Sequence, residues 1–211
     1  MTISYPLAFP STSRGGVATI RLSMQSAVGK SESPFTFQQQ IQQHFGAKWA
    51  ADIGLAPMKR AEAETWISFL LKLKGMYGTF LMGPGPYGAA PLGTPTGTPV
   101  LDGTHAVRAE VISLRGMTPS AADNFRESDY IQLGTGASSR LHRILEVVDA
   151  DGSGEAANIA IYPHLRAAYS DGASVVSSSP VGLFRLATNL TDWSVDVASA
   201  YGINFTATEV I

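Results

Sequence analysis

The 211-residue sequence contains no cysteine and few charged residues, and these two shortages exclude several classes of protein. Without cysteine the chain has no disulfides, no thiolate metal sites and no cysteine nucleophile. Charged residues make up 15% of the chain, well below the roughly 25% that is usual for soluble domains. A surface this poor in charge is often covered by a partner, although a small monomer with many Ser, Thr and Gln residues has a similar composition.

The chain also lacks a basic excess, a long apolar run and a recognisable leader. Its 15 basic and 17 acidic residues nearly cancel, leaving a net charge of −2, which argues against nucleic-acid binding. No stretch approaches the roughly 18 apolar residues that span a bilayer. The first residues lack the basic and apolar regions of a signal peptide. We therefore expect a protein without a membrane segment that is made and folds in a cytoplasm.

Sequence motifs of catalysis and of cofactor binding are missing as well. There is no P-loop, Rossmann fingerprint, HExxH or GxSxG pattern, and no two of the four histidines lie close enough for a local metal pair: His44, His105, His142 and His164. Residues 149–154 resemble the start of an EF-hand loop, but Ala160 stands where the bidentate glutamate is needed, which favours a simple turn. The sequence predicts no enzyme, no catalytic, cofactor-binding or metal residue, and no cofactor.

Alternation of apolar and polar residues with a period of two dominates the chain and predicts a mainly β fold. One apolar face precedes residue 25, made by Ala18, Ile20, Leu22 and Met24. A second predicted face contains Phe35, Phe37, Ile41 and Phe45, followed by a turn at Gly46 and Ala47 and another alternating strand from Trp49. This pattern predicts a β-hairpin with one buried face.

A single helix is predicted over residues 57–74. Pro57 suits a first helical position and Gly75 a C-terminal stop. Helical spacing gives one apolar stripe, which we expect to lie across the hairpin strands. Trp49 and Trp66 each fall on the apolar face of their element and are predicted to be core residues.

The division of the chain follows from residues 83–103, where eleven of 21 positions are Gly or Pro. A segment with so many Gly and Pro residues forms no regular β-sheet pairing and is typical of an extended arm or linker. Short strand patterns with frequent turn signals fill residues 104–180 and predict a second, small β-barrel-like module. The alternation of apolar and polar residues after residue 180 resembles that of the N-terminal segment. The predicted fold is therefore a β-sandwich or barrel module with one packed helix, from residues 1–82 with 181–211, plus the second module.

Glutamines fill five of the six positions from 38 to 43, and we interpret this run in two ways. It is either a polar row that faces solvent or a row of amides that bond to a neighbouring subunit. Aromatic residues in the second half allow a further interpretation, because exposed aromatics are typical of sugar-binding sites. The candidates are Tyr162, Tyr169 and Trp193.

Two stretches resemble distal tail proteins, the tail-tip or baseplate hub components of long-tailed bacteriophages, over about two thirds of the chain. The first stretch contains Phe35-Thr36-Phe37, Trp49-Ala50-Ala51-Asp52-Ile53, Pro57-Met58, Trp66, Phe69-Leu70 and Gly78-Thr79-Phe80-Leu81-Met82-Gly83. The second contains Asp129-Tyr130-Ile131-Gln132-Leu133-Gly134, Leu141-His142-Arg143-Ile144, Asp151-Gly152-Ser153-Gly154, Ile159-Ala160-Ile161-Tyr162-Pro163-His164-Leu165-Arg166, Pro180 and Leu183-Phe184-Arg185-Leu186.

The resemblance implies a virion structural protein at the tail tip, assembled in the host bacterial cytoplasm. It implies a homo-oligomeric ring, usually a hexamer, that joins the tail tube protein to the tail-tip hub protein. The first module would build the ring. Two alternatives stay open: a tail-tube or tail-completion subunit, and a carbohydrate-binding β module that contacts a host-surface glycan.

Overall fold

A computed structural model describes residues 3–10, 16–85, 90–197 and 199–211, and the fold is mainly β with one packed helix. The first half contains β1 (Leu7–Ala8), β2 (Val17–Glu32), β3 (Gln39–Leu55), α1 (Arg60–Leu73) and β4 (Phe80–Met82). The second half contains β5 (Val100–Leu101), β6 (Val111–Arg115), β7 (Tyr130–Leu133), a 3₁₀ turn (Gly136–Ser138), β8 (Arg140–Ile144), β9 (Ala156–Tyr162), β10 (Val175–Val176), β11 (Gly182–Leu186), β12 (Ser194–Val195), β13 (Tyr201–Gly202) and β14 (Asn204–Glu209).

The first sheet has the strand order β1-β4-β11-β14-β3-β2, so it combines strands from both ends of the chain. All its neighbouring strands are antiparallel except β1 and β4. Helix α1 covers one face and shares a core with the sheet, in which Trp66, Phe80 and Phe184 are fully buried. Trp49 and Trp66 are core residues, which confirms their sequence prediction.

The second sheet has the order β10-β7-β8-β9-β6-β5 and forms a nearly closed barrel. Its two edge strands meet where Leu101 N donates to Ala173 O at 2.8 Å and Val175 N donates to Pro99 O at 3.2 Å. A separate core fills the barrel and includes Leu101, Phe125 and Ile131. The predicted fold class, a β-sandwich or barrel module with one helix plus a small barrel-like module, is confirmed.

Part of the Gly- and Pro-rich stretch lies against the barrel. Leu92 N and Gly93 N donate to the two carboxylate oxygens of Asp129 at 2.6 and 3.0 Å, and Thr98 N donates to Gly116 O at 3.0 Å. Residues 86–89 of the predicted arm at 83–103 lie outside the described residues, as do 1–2, 11–15 and 198 of the predicted first module.

Two local predictions are wrong. The turn expected at Gly46 and Ala47 lies inside β3, and the chain reverses at residues 33–38, where Ser33 N donates to Gln38 O at 3.0 Å. The helix begins three residues after Pro57, because Met58 is held in a β-bridge with Tyr201 and the preceding segment is therefore extended. At its other end α1 stops one residue before the predicted position 74.

Candidate assembly surface

Strands β2 and β3 extend beyond the first sheet as a two-stranded hairpin, which we define as the hairpin arm, residues 25–48. The pairing of β2 with β3 continues to Glu32 and Gln39. The third strand, β14, pairs with β3 only between Ala50 and Gly54. The part of β3 that belongs to the arm, residues 39–48, is ten residues long, which corresponds to a length of about 30 Å.

Large apolar side chains on the arm face solvent. Phe35 at the tip is 91% exposed and Phe37 is 72% exposed, and Val28, Ile41 and Phe45 are more than half exposed. The sequence predicted that Phe35, Phe37, Ile41 and Phe45 form a buried face, and this prediction is wrong. Their alternation is that of a covered strand, yet all four side chains are more than half exposed.

The two faces of the arm differ in chemistry. Register pairs place Val28 opposite Gln43 and Lys30 opposite Ile41, so one face carries Val28 and Ile41 together with those two polar residues. The opposite face carries Gln40 and Gln42 beside Ser31 and Gly29. The glutamine row is exposed, and the Gln39 amide donates to Glu32 at 2.8 Å. The arm therefore offers one mixed face with two exposed apolar side chains and one polar face with two amides to any chain that binds along it.

The free edge of the first sheet adds backbone groups to this surface. Strand β2 is 16 residues long and is the outermost strand beside β3. The opposite edge, β1, has two residues. A long edge strand exposes N–H and C=O groups that pair readily with a strand of another chain.

The root of the arm contains an irregularity in the ladder. Ser26 pairs with Ala47, but the next pair along β2 is Val28 with Gln43, so three residues of β3 bulge opposite one of β2. Gly46 permits this close approach, because a Cβ there would lie 2.8 Å from the Cβ of Ala27. Such bulges bend a strand and redirect whatever follows.

A buried polar cluster lies next to the root, between the two sheets. Arg166 Nη2 is 3.1 Å from Glu209 Oε2, which also accepts from Trp49 N at 3.0 Å. Burial raises the pKa of the Glu209 carboxyl, and the Arg166 guanidinium partly offsets that rise. His142 Nδ1 lies 2.7 Å from Pro163 O, and burial lowers the pKa of this imidazole to about 4.

This cluster is sealed from solutes. His142 is fully buried, and the side chains of Arg166 and Glu209 are 3% and 1% exposed. Within the described part of the chain, His142 Nε2, Arg166 Nε and Glu209 Oε1 have no hydrogen-bond partner. Because no substrate reaches these groups in this conformation, we interpret them as the joint between the two cores.

The remaining sequence candidates are dispersed. His44 lies on the arm, His105 bridges to Tyr169, and His142 and His164 lie at the joint. Across residues 3–10, 16–85, 90–197 and 199–211, no group of three His, Asp or Glu side chains is arranged to hold a metal ion. None of the described helices is long and apolar enough to cross a membrane.

The acidic loop at 149–154 is a turn, as its glycines predicted. Asp151 Oδ1 accepts from Ser153 N at 2.8 Å and from Glu155 N at 2.9 Å. These backbone donors hold the pKa of the Asp151 carboxyl below its ordinary value. The carboxylate that an EF-hand would direct at calcium is thus bonded to its own loop.

The three aromatic candidates for sugar binding have different surroundings. The Tyr162 hydroxyl lies 2.6 Å from Ser26 Oγ, and Tyr169 packs half-buried on the barrel core. Trp193 is 42% exposed and follows Asp192, which lines a groove of about 380 Å³ with Asp52 and Asn204. Trp193 is the one exposed residue of the three, and its sequence neighbour Asp192 lines the groove.

The contacts between the barrel and the arm root were missed by sequence reasoning, which considered Tyr162 only as a sugar-binding candidate. Arg108, Tyr162 and Arg166 are distant in sequence from the arm, and no local pattern connects them with it. No protein-family model matches this chain, and no curated protein matches it.

Proposed function

We propose that this protein is a structural component of a phage tail that forms a homo-oligomeric ring at the tail tip. The single observation that carries the self-association is the hairpin arm, which leaves Phe35 and Phe37 in solvent. Apolar surface of this kind gains free energy when a partner covers it, at roughly 25 cal/mol per Å². The resemblance of the sequence to distal tail proteins supplies the tail context.

A second copy of the chain is the occupant that fits the arm best. The arm combines apolar side chains with an exposed row of amides, and the edge of β2 supplies unpaired backbone groups. Among the described residues, one ion pair lies on the arm, between Lys30 and Glu32 at 2.6 Å. The two charges neutralise each other. A surface with this little charge and a long edge strand suits a strand-rich neighbour of the same low charge.

Contact between an arm and a different patch of the next copy is head-to-tail. Repeated head-to-tail contacts close into a ring when the rotation between copies divides a full turn. In this proposal the ring, a hexamer, joins the tail tube protein to the tail-tip hub protein in the virion. Its parts are synthesised in the host bacterial cytoplasm.

The arm is tested by making its tip polar. We expect the double variant Phe35→Ser/Phe37→Ser to sediment as a monomer where the parent forms a ring, because the substitution removes the exposed apolar tip. The urea midpoint should stay unchanged, since both side chains already face solvent. Sedimentation velocity with negative-stain imaging measures the assembly, and urea unfolding measures the fold.

Leu145→Ser is the matched control, because this leucine is half exposed and directly follows the barrel strand β8, outside the arm. It should assemble like the parent. A parent that stays monomeric at high concentration, or a double variant that still closes into rings, refutes the proposal. Stacked tubes in place of single rings identify a tail-tube subunit instead.

The groove lined by Asp192, the residue before Trp193, favours one second candidate, a module that binds a host-surface glycan. Its lining includes the carboxylates of Asp52 and Asp192 and the amide of Asn204, groups that bond to sugar hydroxyls. Glycan-array binding that is lost in Trp193→Ala and kept in Tyr169→Phe would support this candidate.

A further inference from the structure

The barrel holds the arm at its root through Phe45. The guanidinium carbon of Arg108 lies 4.9 Å from the centre of the Phe45 ring. The His164 ring approaches edge-on, at a centroid distance of 5.9 Å and an interplanar angle of 85°. Both partners belong to the barrel, whereas Phe45 belongs to the bulge of β3.

The backbone of Arg108 is held in an uncommon conformation that aims this side chain. Its φ is +70°, a region that non-glycine residues enter at a cost. The Arg108 N–H donates to Leu165 O at 2.8 Å, which fixes that conformation. Strained residues of this kind persist where the surrounding structure determines them, and they concentrate at functional contacts.

Both strands of the arm are held, not β3 alone. On β2 the Ser26 hydroxyl lies 2.6 Å from the Tyr162 hydroxyl. On β3 Arg166 Nη2 donates to Ala47 O. Ser26 and Ala47 are paired with each other, so both contacts lie at the last pair before the bulge, on its root side. The bulge is the point at which an unsupported two-stranded hairpin would pivot, because such a hairpin is marginally stable by itself.

We infer that the barrel acts as a bracket that fixes the direction in which the hairpin arm leaves the first sheet, with Phe45 as the gripped residue. Phe45, Arg108 and His164 are then positioning residues. They orient the apolar tip without being part of it. The use of this orientation in ring closure rests on the proposed function, whereas the bracket itself is a property of one chain.

The absence of native cysteine permits a direct measurement of the arm direction. Spin labels at Thr36→Cys on the tip and Ala157→Cys on the barrel report one distance by pulsed electron resonance, as both residues are exposed. The labelled full-length chain is diluted into excess unlabelled chain, so that only distances within one chain are read. We expect a single narrow distribution for the parent.

Phe45→Ala should broaden that distribution by roughly twofold or more, because the arm then pivots at the bulge. Phe45→Trp keeps an aromatic ring under Arg108 and should restore the narrow distribution. Ile41→Ala, which also removes an exposed apolar side chain of the arm, is the matched control and should leave the width unchanged. Arg108→Gln should broaden the distribution with an unchanged urea midpoint.

A narrow distribution in Phe45→Ala, or a broad one in the parent, overturns the bracket. Broadening in Ile41→Ala equal to that in Phe45→Ala overturns it too, because the effect would then come from any change on the arm. If the parent is monomeric, the ring proposal fails and the distance measurement still decides the bracket.

Discussion

At the scale of single residues, His142 is a neutral base enclosed in protein. One ring nitrogen bonds to Pro163 O, and the other has no partner among the described residues. Burial is the main cause of its low pKa, and Arg166, His164 and Arg140 lower it further by repulsion. A proton on this ring would be a buried cation next to the guanidinium of Arg166.

Acid should therefore destabilise the protein through His142. His142 binds a proton near pH 6.5 in the unfolded chain, whereas in the folded chain it binds one only near pH 4. The contribution of neutral His142 to the free energy of unfolding is thus fully present above pH 6.5 and is lost as the pH falls towards 4. Between pH 7 and 5 we expect His142 to remove about 2 kcal/mol from the free energy of unfolding.

Urea unfolding at several pH values measures this loss. His142→Gln should unfold with a flatter pH dependence than the parent, whatever its stability at pH 7. His44→Gln changes an exposed histidine of the arm and should keep the parental dependence. Equal slopes for the parent and His142→Gln would contradict the assignment.

At the scale of secondary-structure elements, the end of α1 depends on two left-handed residues. Lys74 has φ +52° and its N–H donates to Leu71 O, and Gly75 follows with φ +65°. The Asn189 side chain closes the turn, because its Oδ1 accepts from Met76 N at 3.0 Å. A Cβ at Gly75 would lie 2.7 Å from that same oxygen.

Gly75→Ala should lower the free energy of unfolding by about 1–2 kcal/mol, since alanine adds left-handed strain and a clash with Asn189. Gly152→Ala is the control: a Cβ there meets no atom within 4 Å, and its effect should be small. Thermal unfolding of both variants is the measurement. A Gly75→Ala variant as stable as Gly152→Ala would disprove this role of Gly75.

Much of the fold could be predicted from local patterns. The alternation around Tyr130 and Ile161 located barrel strands, and the stripe through Trp66 located the helix, because burial on one face imposes a period on the sequence. The helix begins later than predicted because Met58 forms a β-bridge with Tyr201. This contact joins residues distant in sequence, so no local pattern indicates it.

The arm illustrates why the candidate surface was predicted only in part. Alternation through Ile41 and Phe45 shows that one face is apolar, but the same alternation arises whether the cover comes from the chain itself or from another chain. The sequence therefore located the strand and misassigned its burial. The contacts of Arg108 with Phe45 depend on tertiary packing and had no local signature.

At the scale of the whole molecule, the two cores are joined by a buried ion pair. Arg166 belongs to the barrel part of the chain and Glu209 to β14 of the first sheet. The Trp49 indole N–H strengthens the joint by donating to Leu141 O at 2.9 Å. A buried pair of this kind contributes little by itself, but an unpaired member is costly.

Arg166→Ala should lower the free energy of unfolding by about 3 kcal/mol, because it leaves the Glu209 carboxylate buried without its cation. Arg60→Ala breaks an exposed pair with Glu64 on α1 and should stay within about 0.5 kcal/mol of the parent. Urea unfolding gives both values. A loss in Arg166→Ala no larger than that in Arg60→Ala would mean that the joint is held by other contacts.

The strand order also determines which sheet can be completed first while the chain is synthesised on the ribosome. Strand β14 lies between β11 and β3 in the first sheet, yet it follows every strand of the barrel in the chain. The barrel strands, from residues 100 to 176, are therefore all synthesised before the strand that completes the first sheet exists. Domains generally fold as units during synthesis, so the barrel can fold before β14 is made, and the core that begins first is completed last.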